Sequence, residues 1–261
     1  MNWFYDTSVW ITLPVFVGGF VLASCLIALG LRPLVRRFVD DRKQWDRALA
    51  HVIGTFGVFF GILLALVAVS VYENYASTHA ATLDEAVDLG ALHRGTDGLP
   101  ESIGEEMRDR LDAYVHVVIN EDWPDQREGL IPEASAPHVD EFDRLLHGFE
   151  PETAGQEAVY LQLLATFDEF VEDRRERIDA VTLQLPLLFW LVIWVGAIIN
   201  AVLIGLIDVS SRRMHVFIAG MLALFIGLVM FVTADMDHPY AGTISVGPGA
   251  FERVDVQLLD D

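Results

Sequence analysis

From Val52 to Val71 the chain reads VIGTFGVFFGILLALVAVSV, without one charged residue. In hydrocarbon every backbone N–H and C=O must be satisfied within the segment, so such a stretch crosses as a helix, and about 20 apolar residues suffice. The apolar run extends from His51 to Tyr72, and three more runs resemble it: Val9 to Leu31, Val181 to Ile207 and Val216 to Thr233. The sequence therefore predicts an all-α membrane protein with four transmembrane helices. The first run could be a cleaved signal, but no basic residue precedes it and it exceeds the length of a signal's apolar core. It is expected to be retained.

Lysine and arginine near the ends of spans set orientation. Arg32, Arg36, Arg37, Arg42, Lys43 and Arg47 lie between the first two spans, and Arg212 and Arg213 between the last two. Both loops are expected to be cytoplasmic. This predicts a multi-pass plasma-membrane protein with both termini outside. Arg174, Arg175 and Arg177 oppose that orientation, but Glu172, Asp173, Glu176 and Asp179 interleave them. Four segments follow. Residues 1–73 hold two spans and a short basic loop, 74–180 an acidic external domain, 181–234 two further spans, and 235–261 an external tail.

The formal charge of −21 is concentrated in 74–180, where 26 Asp and Glu against 8 Arg leave −18. Such a field repels nucleic acid, which is excluded as a partner, and attracts cations. Abundant acid beside a single Lys also fits a salt-adapted protein. Cys25 is the sole cysteine and falls inside the first span, so no disulfide braces the chain.

The acidic domain should be helical and grow out of the second and third spans. Leu83, Val87 and Ala91 recur at helical spacing after the second span. Gly98 and Pro100 break that pattern, and Met107, Leu111, Tyr114, Val115 and Val118 then share one face. Pro124, which has no N–H to donate, is expected to stop this helix. Val139 to Leu146 reads as a short helix. Pro151-Glu152-Thr153 reads as the start of a last one, with Val159, Leu161, Leu164, Phe167 and Phe170 on its apolar face. In the tail, Pro239, Gly242, Gly247, Pro248 and Gly249 argue against a long helix, and Thr243 to Val246 could pair as a short strand.

No catalytic constellation is visible. The eight His include no i, i+4 pair for a helical metal site, Gly247-Pro248-Gly249 lacks the lysine of a phosphate loop, and no serine sits in a nucleophile elbow. Neither an enzyme activity nor a cofactor nor a metal is expected.

The second span does carry a pattern. At about 100° per residue, His51, Thr55, Phe59, Ile62, Leu66, Ser70 and Glu73 form one stripe, polar at both ends and apolar between. A helix with wet mouths and an apolar constriction can line a channel. Headgroup contacts for His51 and Glu73, with Thr55 and Ser70 bonding back to the helix, are the plainer reading. Gly54, Gly57, Gly61, Ala65 and Ala68 form a second stripe, whose small residues let a neighbouring backbone approach, as in a helix–helix seam. Asn200 in the third span should hydrogen-bond another helix, since a buried amide without a partner is costly. Asp208 and Arg212 would make a local ion pair.

Several pieces together resemble a known family. Ile53-Gly-Thr-Phe56 followed by Gly61-Ile-Leu-Leu-Ala-Leu-Val-Ala-Val-Ser-Val-Tyr-Glu-Asn-Tyr75 is similar to the signature of a prokaryotic bestrophin-like membrane family of unknown function. Glu121-Asp-Trp-Pro124, the arginine-bearing Glu172 to Ile178, Asp237-His-Pro-Tyr-Ala-Gly242 and Val246-Gly-Pro-Gly-Ala-Phe251 agree with it. Bestrophins are oligomeric anion channels whose second span lines a pore narrowed by apolar and aromatic side chains. The resemblance thus implies Phe56, Phe59 and Phe60 as neck residues. It departs in placing the large domain outside, and no EF-hand spacing is present.

The expected function is an oligomeric ion channel lined by the second span, with inorganic ions, the lipid bilayer and further copies of the chain as partners. Charge favours cations, whereas the resemblance implies anions. A membrane-anchored sensor or scaffold is the alternative, but loops 32–48 and 209–215 are too short for an output module. A transporter should show broken spans and inverted repeats, and Pro186 stands at the start of a span rather than within one.

Overall fold

The computed structural model describes residues 4–5, 7–38, 42–207 and 211–260. They form helices α1 (Val9–Phe38), α2 (Arg42–Gly95), α3 (Glu101–Val117), α4 (Trp123–Arg127), α5 (Ala136–Gly148), α6 (Ala154–Asp179), α7 (Leu187–Gly205), α8 (Arg212–Met236) and α9 (Gly249–Asp260). No strand occurs among the described residues, so Thr243 to Val246 does not pair as one. The chain divides into two compact units, Met1–Glu73 with Gln184–Asp237, and Asn74–Leu183 with His238–Asp261.

Among the described residues, four helices are long and apolar enough to cross a membrane. The third begins at Leu187, not Val181. Ala180–Thr182 closes α6 as a 3₁₀ turn, and Pro186, with ψ of 139°, stands just ahead of the new helix. Asp237 fixes this entry by accepting from the Leu185 N–H at 2.8 Å and the Trp190 indole N–H at 2.9 Å. At the other end of α7, Trp45 Nε1 donates to the Leu206 carbonyl at 3.2 Å, and His215 Nε2 lies 3.0 Å from the Ile204 carbonyl. These contacts meet carbonyls that a helix C-terminus leaves without partners.

In the first unit α1 packs on α7 and α8. The close approaches rest on glycines outside α2. A Cβ on Gly205 would come 3.1 Å from the Ala28 Cα, and one on Gly196 would come 2.4 Å from the Phe60 ring. Asn200 is buried in α7. Asp208, expected to pair with Arg212, lies outside the described residues.

In the second unit Met107, Leu111, Tyr114, Val115 and Val118 are all buried, as their spacing predicts. Three details differ from expectation. The buried face of the α2 extension carries Thr78, Thr82, Glu85, Ala86, Leu89 and Leu92, while Val87 is 66% exposed. Thr78, Thr82 and Glu85 make that face partly polar, so hydrophobic periodicity selects Leu83 and Val87 on the wrong side. Pro124 does not stop the chain's helical course. A π turn, Val118–Asp122, lies between α3 and α4, Pro124 falls in the first turn of α4, and the helical course ends before Gly129, with φ of +78°. On α6 the buried residue is Leu163 and not Leu161. The start of α6 is as expected, with Thr153 Oγ1 accepting from the Gln156 N–H at 3.2 Å. Instead of a separate tail, residues from Tyr240 to Val254 join this unit's core. Gly249 opens α9, a 12-residue helix, which the expectation of no long helix in the tail allows.

Candidate functional site: the open face of the second span and a buried arginine network

The membrane-spanning part of α2 turns a narrow face to its own chain. Phe60, Leu64, Val67 and Val71 are buried, and Phe56 is half-buried with its ring stacked on Phe60 at 5.6 Å. Ile53 and Leu63 are also half-buried, and most of the rest of this span is open. His51, Thr55, Phe59, Ile62, Leu66, Ser70 and Glu73 are all exposed, Phe59 by 69%. The structure therefore separates the three phenylalanines: Phe59 lies on the open side, while Phe56 and Phe60 face the first unit. Gly54, Gly57 and Gly61 are also open, with nothing within 4 Å of a Cβ built on any of them. Ala65 is exposed and Ala68 half-buried.

The second unit is organised on Arg177, which is fully buried. Burial, the largest single influence, would lower the pKa of this guanidinium, but the charge of Glu85, its hydrogen bonds and the neighbouring tyrosines together outweigh it and hold Arg177 protonated. Arg177 Nε donates to Glu85 Oε2 at 2.6 Å and Nη2 to Glu85 Oε1 at 3.2 Å, a two-pronged pair between α6 and α2. Nη1 donates to Gln126 Oε1 at 2.7 Å, and Nη2 also reaches the Tyr114 hydroxyl at 3.3 Å. The Tyr114 hydroxyl donates to Glu85. Burial, with Glu85 second, raises the pKa of that phenol, so it remains a donor. The guanidinium lies 5.6 Å from the ring centroids of both Trp123 and Phe251. The Tyr240 hydroxyl donates to the Arg177 carbonyl at 2.6 Å, and Trp123 Nε1 donates to the Val246 carbonyl at 3.3 Å. Asp122, itself buried, accepts from the Ser135 N–H at 3.2 Å, and Ser135 Oγ accepts from Arg174 at 3.1 Å.

This network gathers the motifs that the sequence scatters. The acidic Trp-Pro element supplies Asp122 and Trp123, the arginine helix supplies Arg177, and the closing motif supplies Tyr240, Val246 and Phe251. Sequence reasoning misses Glu85 and Gln126. The available signal for Glu85 is its i+3 step from Thr82 and i+4 step to Leu89, on a row that is otherwise small or apolar. Chemically, the network ties one cation to a carboxylate, an amide and a phenol from neighbouring helices, so it suits holding helices together.

Beside it, carboxylates of α2 and α6 face one another. Asp173 is pushed up to about 6, first by partial burial and then by Asp88, Asp84, Glu176 and Glu85. A carboxyl raised in the folded state adds stability that is full below the ordinary carboxylate range and is lost as pH rises through the folded value. Through this group the second unit should be more stable at pH 5 than at pH 7.5. Denaturation midpoints at the two pH values check this, and Asp173→Asn should reduce the difference.

Comparison with known proteins comes from three sides. A family model described as Bestrophin-like domain matches residues 18–251. None of the curated proteins matches the sequence. Among solved structures, a variant of a bacterial Bestrophin homolog from Klebsiella pneumoniae superposes with a TM-score of 0.69 at 13% identity, covering 94% of this chain and 99% of that one. Another structure of a bacterial Bestrophin homolog from Klebsiella pneumoniae, solved by Zn-SAD phasing, gives 0.65 at 13% identity, covering 92% and 96%. A structure described only as a membrane protein gives 0.69 at 14% identity, covering 94% and 97%. At these identities the likeness is one of fold, and it runs nearly the length of each chain.

Proposed function

The chain belongs to the bestrophin-like family, and on that premise we propose that it forms an oligomeric ion channel whose pore is lined by the second span. The observation that carries this reading is the open face of α2. The helix covers itself with its own chain on the Phe60–Val71 side only, and leaves outward a stripe with polar ends and an apolar middle. Four spans of a single chain do not easily enclose a pore, so several copies must surround it. In this arrangement Gly54, Gly57 and Gly61 form the seam where copies of α2 approach, because nothing in their own chain occupies that space. Phe59, Ile62 and Leu66 make the constriction, and His51 and Glu73 lie at its two mouths. Phe59 is the neck candidate among the phenylalanines, since Phe56 and Phe60 turn inward.

Cations are the favoured ion. Glu73 repeated around an axis makes an acidic ring, and the segment that follows it carries −18. Exposed charges more than about 8 Å from the axis are largely screened at physiological salt, so Glu73 carries most of the argument. Anion conduction, which family likeness suggests, is the competing reading. Particle images of the purified assembly test the architecture. Copies related by a central axis with α2 innermost support it, and a monomer, or an axis lined by α1, α7 or α8, contradicts it.

The same reading places both termini and the acidic unit outside. Glu128→Cys, at an exposed turn, in a Cys25→Ala background, should react with an impermeant maleimide on intact cells. Labelling only after permeabilisation would reverse the orientation.

A further inference from the structure

A second group of titratable side chains lies in the acidic unit, apart from Arg177. His93 at the end of α2 places Nε2 3.7 Å from Asp112 Oδ1 on α3. One turn on, His116 of α3 places Nε2 3.7 Å from Asp255 Oδ1 on α9. Asp112 and His116 are i, i+4 neighbours, so the four side chains alternate His, Asp, His, Asp across three helices. Asp109 of α3 also faces Asp112.

We propose that His93, Asp112, His116 and Asp255 form a proton-operated latch that holds the C-terminal helix α9 and the end of α2 against α3. Each contact is an ion pair only while its imidazole is protonated. Histidine is the side chain whose ordinary pKa, about 6.5, lies between the pH of acid and neutral surroundings. The apolar face of α9, with Phe251 and Val254 buried, keeps the helix seated in either state. Protonation adds two charge pairs at the edge of that face. Burial raises the Asp112 carboxyl, with His93 pulling it back down, so strong acid discharges this aspartate. The latch therefore needs a protonated imidazole and an ionised carboxylate in each pair at once, and it is loosest when the imidazoles are neutral. His116 is 58% exposed at its side chain, so each pair is a weak one.

Hydrogen exchange of the full chain in detergent, read at the amides of residues 250–256 and corrected for intrinsic pH dependence, tests the latch. Protection in the parent should be roughly two- to five-fold higher at pH 5.5 than at pH 7.5, the range measured for exposed ion pairs. His116→Gln and Asp255→Asn should each remove most of that difference. Asp173→Asn, which removes the separate pH dependence assigned above to that carboxyl, should leave the part of the difference that His116→Gln and Asp255→Asn remove. Equal protection at the two pH values in the parent overturns the proposal. So does a full pH difference retained in both His116→Gln and Asp255→Asn. If His116→Gln fails to fold, Asp255→Asn alone decides between the two outcomes.

Discussion

Arg177→Met is expected to destabilise the acidic unit by about 3–5 kcal/mol, the usual cost of removing one partner of a buried ion pair. The cost arises from what is left behind. Glu85 is fully buried, and without Arg177 it keeps a charge whose remaining bonded partner is the Tyr114 hydroxyl. Gln126 Oε1 loses its donor as well, and Trp123 and Phe251 lose the cation between them. Adding Glu85→Gln to Arg177→Met should restore part of the loss, because an amide in that place needs no counter-charge. A coupling of roughly 2 kcal/mol in the double-mutant cycle is expected for groups in direct contact. Pulse proteolysis of the full chain across a urea series reads these differences. Strict additivity of the two substitutions would show that Glu85 and Arg177 are stabilised independently of one another.

Gly57→Leu and Gly61→Leu are expected to leave each chain folded but to prevent assembly. Within one chain a Cβ at either position meets nothing within 4 Å, so the first unit has room for a side chain to begin there. Between copies the added isobutyl group would hold neighbouring helices several ångströms apart, and close packing of small residues is what drives association in lipid. Helix content by circular dichroism should match the parent, while light scattering in detergent should report a smaller particle. Gly196→Leu provides the contrast. It collides with Phe60 inside the chain and should damage folding itself. Full-sized assemblies of Gly57→Leu and Gly61→Leu would place those glycines against lipid or open space.

What could be read from the sequence follows the strength of each physical signal. Absence of charge over a bilayer's thickness is a strong signal, and four helices long and apolar enough to cross a membrane coincide with the four apolar runs, the third with a later start. Pro186 marks the start of the third span, yet the apolar run extends before it to Val181, because Ala180, Val181 and Leu183 are apolar for another reason: two of them are buried in the acidic unit's core. Periodicity succeeds on α3, whose buried face is apolar throughout. It fails on the α2 extension, where Thr78, Thr82 and Glu85 take the inner face because Arg177 awaits Glu85 there. An ion pair linking residues 85 and 177 leaves no local trace in either helix. The tail fails for a related reason. Its prolines and glycines describe a turn correctly, but not the docking of Tyr240 and Phe251 around a distant arginine.

The channel itself is tested most directly by current. Purified assemblies in a planar bilayer under asymmetric KCl should conduct, with a reversal potential displaced toward the potassium equilibrium potential. Glu73→Gln should move that potential toward zero if the acidic ring selects cations, and Phe59→Ala should raise conductance if the neck lies there. Absence of current above that of protein-free membranes would contradict the channel reading. A reversal potential on the chloride side, unchanged by Glu73→Gln, would contradict both the favoured ion and the place given to Glu73.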